Sequence, residues 1–409
     1  MFESGPKLRH LPFFEEIASL EEDSAEYRAV SGGLVVLRLL DSRVEEYCSP
    51  DDRDEWAIRS VRAAIEGISE TSPLRAILGR VVDALEESSR SFRTIVTPLM
   101  AYARSLEYEA KWHLSADVYQ TVLAHTHPIE DSDASIAAHL RLGQCYRVVN
   151  EIDKSAKAYE CAHEIATAVG DMVGILRACI GEGRIAMFRG NLPRAEEIFD
   201  HTIQRASAPD LTDVRSSALH GRANVAHFRN QYELAIQFAY AALEHAQIPA
   251  ERDRILGDIA VSFLELGIYS AARDAYLVLS ATAQEQYTRW AATLNLLEIA
   301  SQTRMSSLFE LYSRQLSGHQ LPPYMATAYE LSLGSGYRRF GDLTAARHHL
   351  ERAMTMAAEQ GFNQYLFEAE EALLQIDAAT PPRKMPADIS LDTQEVAQAI
   401  KELRQSVGV

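Results

Sequence analysis

Cysteine is scarce in this chain of 409 residues: Cys48, Cys145, Cys161 and Cys179 are all there are, and no two form a Cys-x-x-Cys pair. Nothing in that pattern suggests a disulfide framework or a zinc knuckle, and it predicts a reducing, cytoplasmic setting. Cys145, Cys161 and Cys179 fall in helical segments and read as small buried hydrophobes. Proline and glycine are also few, 14 and 20, and they sit mostly at joints. Both weaken helix interiors, so their shortage suits an all-α chain. Long apolar runs are missing. The most apolar stretch, residues 32–40, is short and carries Arg38, so it cannot span a bilayer. The segment from Met1 to Lys7 has no basic stretch leading into an apolar run, and no secretory signal is expected. Basic charge is in deficit, with 40 Lys and Arg against 58 Asp and Glu and a net charge of −18. Such a surface repels nucleic acid and anionic membranes, and no Lys/Arg run reverses this.

What is present is apolar stock, 47% of the chain, enough to exclude wholesale disorder. A chain this long exceeds one ordinary compact core. A repeat resolves that difficulty. Small residues recur at Ser155, Ala195, Ala235, Ala272 and Ala346, with gaps of 40, 40, 37 and twice 37. Four residues after each comes Tyr159, Phe199, Ala239, Tyr276 or Leu350, and three further on Ala162, Thr202, Ala242, Leu279 or Ala353. Small residues at this period mark the places where two helices touch, and so predict a helical solenoid whose units contact only their neighbours.

The clearest unit is Leu142, Gly143, Tyr146, a polar turn at Asn150, then Ser155, Tyr159 and Ala162. Gly143 is read as allowing close approach of the first helix, with Tyr146 filling the gap beside it. Further turns are expected at Gly190, Asn230, Gly267 and Gly341. A weak first unit is placed between Leu99 and His125 on Ala116, Tyr119 and Ala124. A sixth lies between Tyr287 and Leu316, where Phe309 stands in place of the small residue. Residues 1–92 read as helices outside the repeat, an N-terminal cap or a separate domain. The array covers 93–378, and 379–409 form a Pro-rich linker and a last helix from about Asp392 to Ser406. Asp392 and Glu395 read as its capping box, and Val396, Ile400 and Leu403 as one apolar face. That face is expected to plug the array, dock on a second copy as a homo-oligomer clip, or fray as a tail.

Leu142, Gly143, Tyr146, Tyr159 and Ala162, and again Leu333, Gly334, Tyr337, Gly341, Ala346 and Ala353, resemble the tetratricopeptide repeat (TPR) family. The resemblance covers roughly residues 93–378. It implies an all-α fold, an α-α superhelix (a TPR-like solenoid), and work by binding. Periods of 37 to 40 exceed the family's usual ~34, so longer helices are expected, a variant similar to the long repeats of bacterial regulators. In that family the first helix of each repeat lines a concave wall. The positions so placed here include Arg147, Arg177, Arg184, Phe188, His220, Asn224, His227, Phe228, Arg338 and Arg339. Arginine forks suit carboxylates, so the expected partner is an acidic protein or peptide segment.

Catalytic signatures are missing. There is no His-Glu-x-x-His, no Gly-x-x-x-x-Gly-Lys-Ser/Thr and no Gly-x-Ser-x-Gly. Gly181 and Gly183 form a Gly-x-Gly inside a helix, the wrong context for phosphate. His348 and His349 diverge on a helix, and His220 and His227 have no carboxylate or cysteine beside them in sequence. No enzyme activity, metal or cofactor is expected. The expected function is a peptide-binding scaffold, with a ligand-responsive regulator that changes curvature as the alternative.

Overall fold

The computed structural model describes residues 9–22, 24–45, 52–70, 72–87, 93–378 and 388–409. The segment from Met1 to Lys7, Cys48, the break at Ser49 to Asp51 and the Pro-rich stretch 379–387 lie outside the described residues. Among the described residues there are twenty α-helices and no strand. The chain packs as two units, residues 1–202 and 203–409. The first holds α1 (Leu11–Ser19), α2 (Ala25–Glu45), α3 (Asp52–Glu66), α4 (Pro73–Glu87), α5 (Arg93–Tyr108), α6 (Trp112–His125), α7 (Ser132–Val148), α8 (Ile152–Val169), α9 (Met172–Phe188) and, as far as Thr202, α10 (Leu192–Arg205). The second holds α11 (Thr212–Phe228), α12 (Tyr232–His245), α13 (Pro249–Glu265), α14 (Tyr269–Thr282), α15 (Gln286–Gln302), α16 (Ser306–Ser317), α17 (Pro323–Phe340), α18 (Leu343–Gln360), α19 (Asn363–Leu374) and α20 (Leu391–Val407). Most successive helices pack on one another, as α7 does on α8, α11 on α12 and α17 on α18.

The pairs are closed by one backbone device. A left-handed residue stands at Ala110, Asn150, Gly190, Asn230, Gly267, Arg304 and Gly341, spaced by 40 and then by 37 residues. The next N–H donates to the carbonyl five residues back: Glu151 to Tyr146 at 2.8 Å, Asn191 to Ala186 at 2.9 Å, Met305 to Ala300 at 2.8 Å, Asp342 to Tyr337 at 3.0 Å. This is the hydrogen bond that ends a helix in a Schellman turn and satisfies one of its orphan carbonyls. Five residues after each left-handed residue comes Ser115, Ser155, Ala195, Ala235, Ala272, Phe309 or Ala346, all buried. In the first two of these the serine hydroxyl crosses to the facing helix, Ser115 Oγ to the Ala103 carbonyl at 2.9 Å and Ser155 Oγ to the Gly143 carbonyl at 2.6 Å. The small residue of the first pair is therefore Ser115, one place before the expected Ala116.

Close approach depends on glycine facing a ring. A Cβ at Gly143 would lie 2.8 Å from the Tyr159 ring, and one at Gly181 only 2.3 Å from it. Tyr159 thus wedges α8 between α7 and α9. It, not Tyr146, fills the gap beside Gly143; Tyr146 is half-buried, with the Lys154 ammonium 5.5 Å from its ring centroid. Gly183 takes the Phe199 ring in the same way. Gly181 and Gly183 are therefore packing glycines. In the sixth pair Phe309 replaces the small residue and its ring seats against Gly336, where a Cβ would be 2.2 Å away. Of the sixth pair's two helices, α17 packs more on α15 than on α16.

In the first unit one apolar core runs from Phe13 on α1 to Ala158 on α8, joining the N-terminal helices to the first repeats. A polar cluster pins α1. His10 Nδ1 lies 2.7 Å from Asp117 and Nε2 3.2 Å from Asp41. Asp41 also accepts from Arg9 at 3.0 Å and meets His125 at 3.2 Å. Burial alone would lower the His10 pKa, but Asp117 and Asp41 outweigh it and raise it. Burial would raise Asp41, but Arg9, His125 and His10 hold it below its usual range.

These contacts make stability and pH dependence testable. Ala110→Gly removes the cost of a Cβ in a left-handed turn, about 1–2 kcal/mol, less about 0.4–1 kcal/mol of added unfolded-state freedom. Gly181→Ala drives a methyl into Tyr159 and costs about 1–3 kcal/mol. In denaturant titrations the first should stabilise modestly and the second destabilise. The docking of α1 should depend on pH. The raised His10 contributes fully below its ordinary 6.5 and loses that contribution as pH rises through its folded value. The lowered Asp41 contributes above its ordinary 3.8 and is lost as pH falls through its folded value. Amide exchange in α1 should therefore be slower at about pH 5.5 than at about pH 8.5 after correction for intrinsic rates, and His10→Ala should erase the difference.

Candidate binding surface

The left-handed turns set the first helices in register. The residue seven before the turn is the close-contact position, occupied by Ala103, Gly143 and Gly183 in the first unit. The residue two before it lies about 140° further round the helix. In the first unit that position holds Tyr108, Val148 and Phe188, which are 73%, 43% and 52% exposed. Their helices α5, α7 and α9 pack side by side. Three large apolar side chains on adjacent helices thus form an exposed strip. The Arg147 guanidinium lies over the Phe188 ring, 5.6 Å from its centroid. Its Nε is buried and has no hydrogen-bond partner among the described residues. Arg104 is exposed six residues before its turn, in register with Gln144 and Arg184.

Sequence reasoning named Arg147, Arg184 and Phe188 and missed Tyr108 and Arg104. The missing signal was the 40-residue step back from Ser155 to Ser115, which carries Val148 back to Tyr108. Arg177 is exposed and Arg184 half-buried, and both already have interactions within the chain.

In the second unit the same position begins apolar, with Phe228 62% exposed. The His227 ring meets Phe228 edge-on at 6.2 Å and Tyr232 at 5.3 Å, and its Nδ1 is 3.3 Å from Ser262 Oγ. Asn224 is half-buried beside them on α11. His220 is buried, its Nε2 2.6 Å from Asp258 Oδ2, so it ties α11 to α13. The carboxylate absent from its sequence neighbourhood thus arrives from the next repeat, while His227 faces Ser262, and the two histidines share no ligand sphere. Arg338 donates to the Ala378 carbonyl at 3.2 Å, with its Nε buried and unbonded among the described residues. Beyond Phe228 the register turns polar, through Glu265, Gln302 and Arg339. Glu298 occupies the sixth pair's equivalent of Asn224. Its tip reaches solvent, but surrounding protein leaves it little bulk water, and this desolvation pushes its carboxyl up while Arg339 pulls the other way. Burial lowers Arg339, opposed by Glu298. Glu265 and Glu298 thus put two acids among these first-helix positions.

Cys145 is the buried hydrophobe it was expected to be, with burial pushing its thiol up to about 12. Cys161 and Cys179 are half-buried. No helix among the described residues is long and apolar enough to cross a membrane.

The C-terminal helix folds back onto the second unit. Val396 and Ile400 are buried against α12 and α14, the second helices of their pairs. Its N-cap is Ser390 rather than Asp392, since the Ser390 hydroxyl accepts from the Thr393 N–H. Serine is a strong cap and stands where the chain enters from extended backbone. Ser390 N–H and Oγ and Thr393 Oγ1 all donate to one oxygen of Glu233, at 2.8, 2.5 and 2.9 Å. Arg404 Nε lies 3.2 Å from Asp274 Oδ1. The apolar face is therefore occupied within the chain, on the second-helix side. Ile400→Ala should destabilise the second unit by about 2–5 kcal/mol in denaturant titration; a change below about 1 kcal/mol would show that α20 is loosely held.

No protein-family model matches the chain, and no curated protein matches it. Solved structures of similar build include Rap protein complexed with competence and sporulation factor, at 13% identity and TM-score 0.47, covering 87% of this chain and 98% of that one. A tetratricopeptide repeat protein from Parabacteroides merdae has 11% identity and TM-score 0.38, covering 82% and 99%. BtubC (BKLC) from P. vanneervenii has 13% identity and TM-score 0.33, covering 77% and 98%. Values this low transfer no partner and no activity. The helix pairs, their Schellman turns and their small-residue contacts make the chain an all-α helical-repeat protein of the TPR-like kind.

Proposed function

We propose that the chain is a non-catalytic scaffold that binds a peptide segment, acidic and partly apolar, on the first helices of its repeats. The observation that carries this is the exposed strip Tyr108, Val148 and Phe188, with Arg147 over Phe188 and its Nε unbonded. Two exposed rings flanking a valine supply apolar contact area, and an arginine held on a ring presents its remaining N–H groups to a carboxylate. The continuous core from Phe13 to Ala158 supports reading residues 1–92 as a cap on the array rather than a separate domain. Phe228, His227 and Asn224 offer a second, smaller contact of the same kind in the other unit.

The test is fluorescence anisotropy against a panel of synthetic peptides graded in acidity and apolar content. Phe188→Ala should weaken the best binder about ten-fold or more, the scale of an interface hot spot. Arg147→Ala should weaken acidic peptides and spare neutral ones. Equal binding by a folded Tyr108→Ala/Phe188→Ala double variant would remove this surface from the function.

A further inference from the structure

The first unit gathers three metal-ligating side chains that the binding surface does not use. His163 on α8 and Cys179 and Glu182 on α9 bring a ring nitrogen, a sulfur and a carboxylate oxygen within 4.8 Å of one another. Cys179 and Glu182 are three residues apart and so share a helix face. His163 reaches them from the preceding helix, its Nδ1 2.8 Å from Glu182 Oε1. All three are half-buried. The side chains of His163 and Glu182 are 36% and 33% exposed, which leaves a path for an ion and a place for water.

We propose that His163, Cys179 and Glu182 form a binding site for a thiophilic divalent cation of the zinc class. One thiolate, one imidazole and one carboxylate make a mixed sulfur, nitrogen and oxygen set that suits zinc and its neighbours. Calcium and magnesium require more oxygen ligands than the cluster offers. Ionised Cys179 and Glu182 supply two negative charges against a divalent ion, while the imidazole stays neutral. Metal bonds of about 2.0–2.3 Å draw such ligands together, and side-chain rotation closes the remaining gap. Three protein ligands leave the fourth position to water or to a group from outside. The ligands span the second helix of one repeat and the first helix of the next. A bound ion therefore cross-links consecutive pairs next to the Tyr159 and Gly181 contact, and its binding free energy adds to the stability of that junction.

The experiment is a cobalt titration of the reduced full-length chain. One equivalent of Co2+ should produce a thiolate-to-cobalt charge-transfer band, with visible d–d bands of a low-coordinate site, and Zn2+ should displace it. Cys179→Ser and His163→Ala should lose the band, and Cys161→Ser should keep it. As a check free of substitution, Zn2+ should protect Cys179 in the unmodified protein from alkylation, read by mass spectrometry, and leave Cys161 reactive. Absence of a charge-transfer band in the unmodified protein, its persistence in Cys179→Ser, or equal alkylation of Cys179 with and without Zn2+ would overturn the proposal.

Discussion

The hydrogen bond that closes each helix pair sets the geometry on which the rest of the chain depends. Once a residue turns left-handed, the next N–H reaches the carbonyl five residues back, and the end of the first helix is fixed. The return helix then starts at a set distance, so the residue five after the turn meets the residue seven before it. Serine can occupy the first of these positions because its hydroxyl has a carbonyl to reach, as at Ser155 and Gly143. Alanine can because it is short. Ala110 and Arg304 accept an unfavourable backbone conformation at this point, which shows how strongly the surrounding pair demands it.

The same register separates packing positions from exposed ones. Positions of closest approach within the pair carry mostly glycine, alanine, serine or a ring. Positions further round the first helix are released from packing and vary from Tyr108 to Val148 to Phe188 to Glu265. Binding chemistry can change there without disturbing the fold. The second helices carry different duties: α12 and α14 seat the C-terminal helix, and α8 supplies His163 to the cluster on α9.

The architecture was largely legible in the sequence because the small residues recur wherever backbones touch. The turns at Asn150, Gly190, Asn230, Gly267 and Gly341 were legible too, since glycine and asparagine advertise a left-handed conformation. Ala110 and Arg304 were not, because their side chains do not favour it. The partners of individual side chains were hidden for another reason. Asp258 reaches His220 from 38 residues away, and Cys179 and His163 meet across two helices. No periodic pattern records which rotamers converge between repeats. The cap of α20 was misplaced because an acidic residue three before a glutamate resembles a capping box, while Ser390 two places earlier holds the hydroxyl that the N–H groups use.

Phe309 and Gly336 act as one packing unit. The ring occupies the space that a side chain at position 336 would need. A small residue at 309 would leave a void beside Gly336, and a side chain at 336 would exclude the ring. The two positions are therefore coupled: restoring the repeat's alanine at 309 in this chain calls for a side chain at 336 to refill the space.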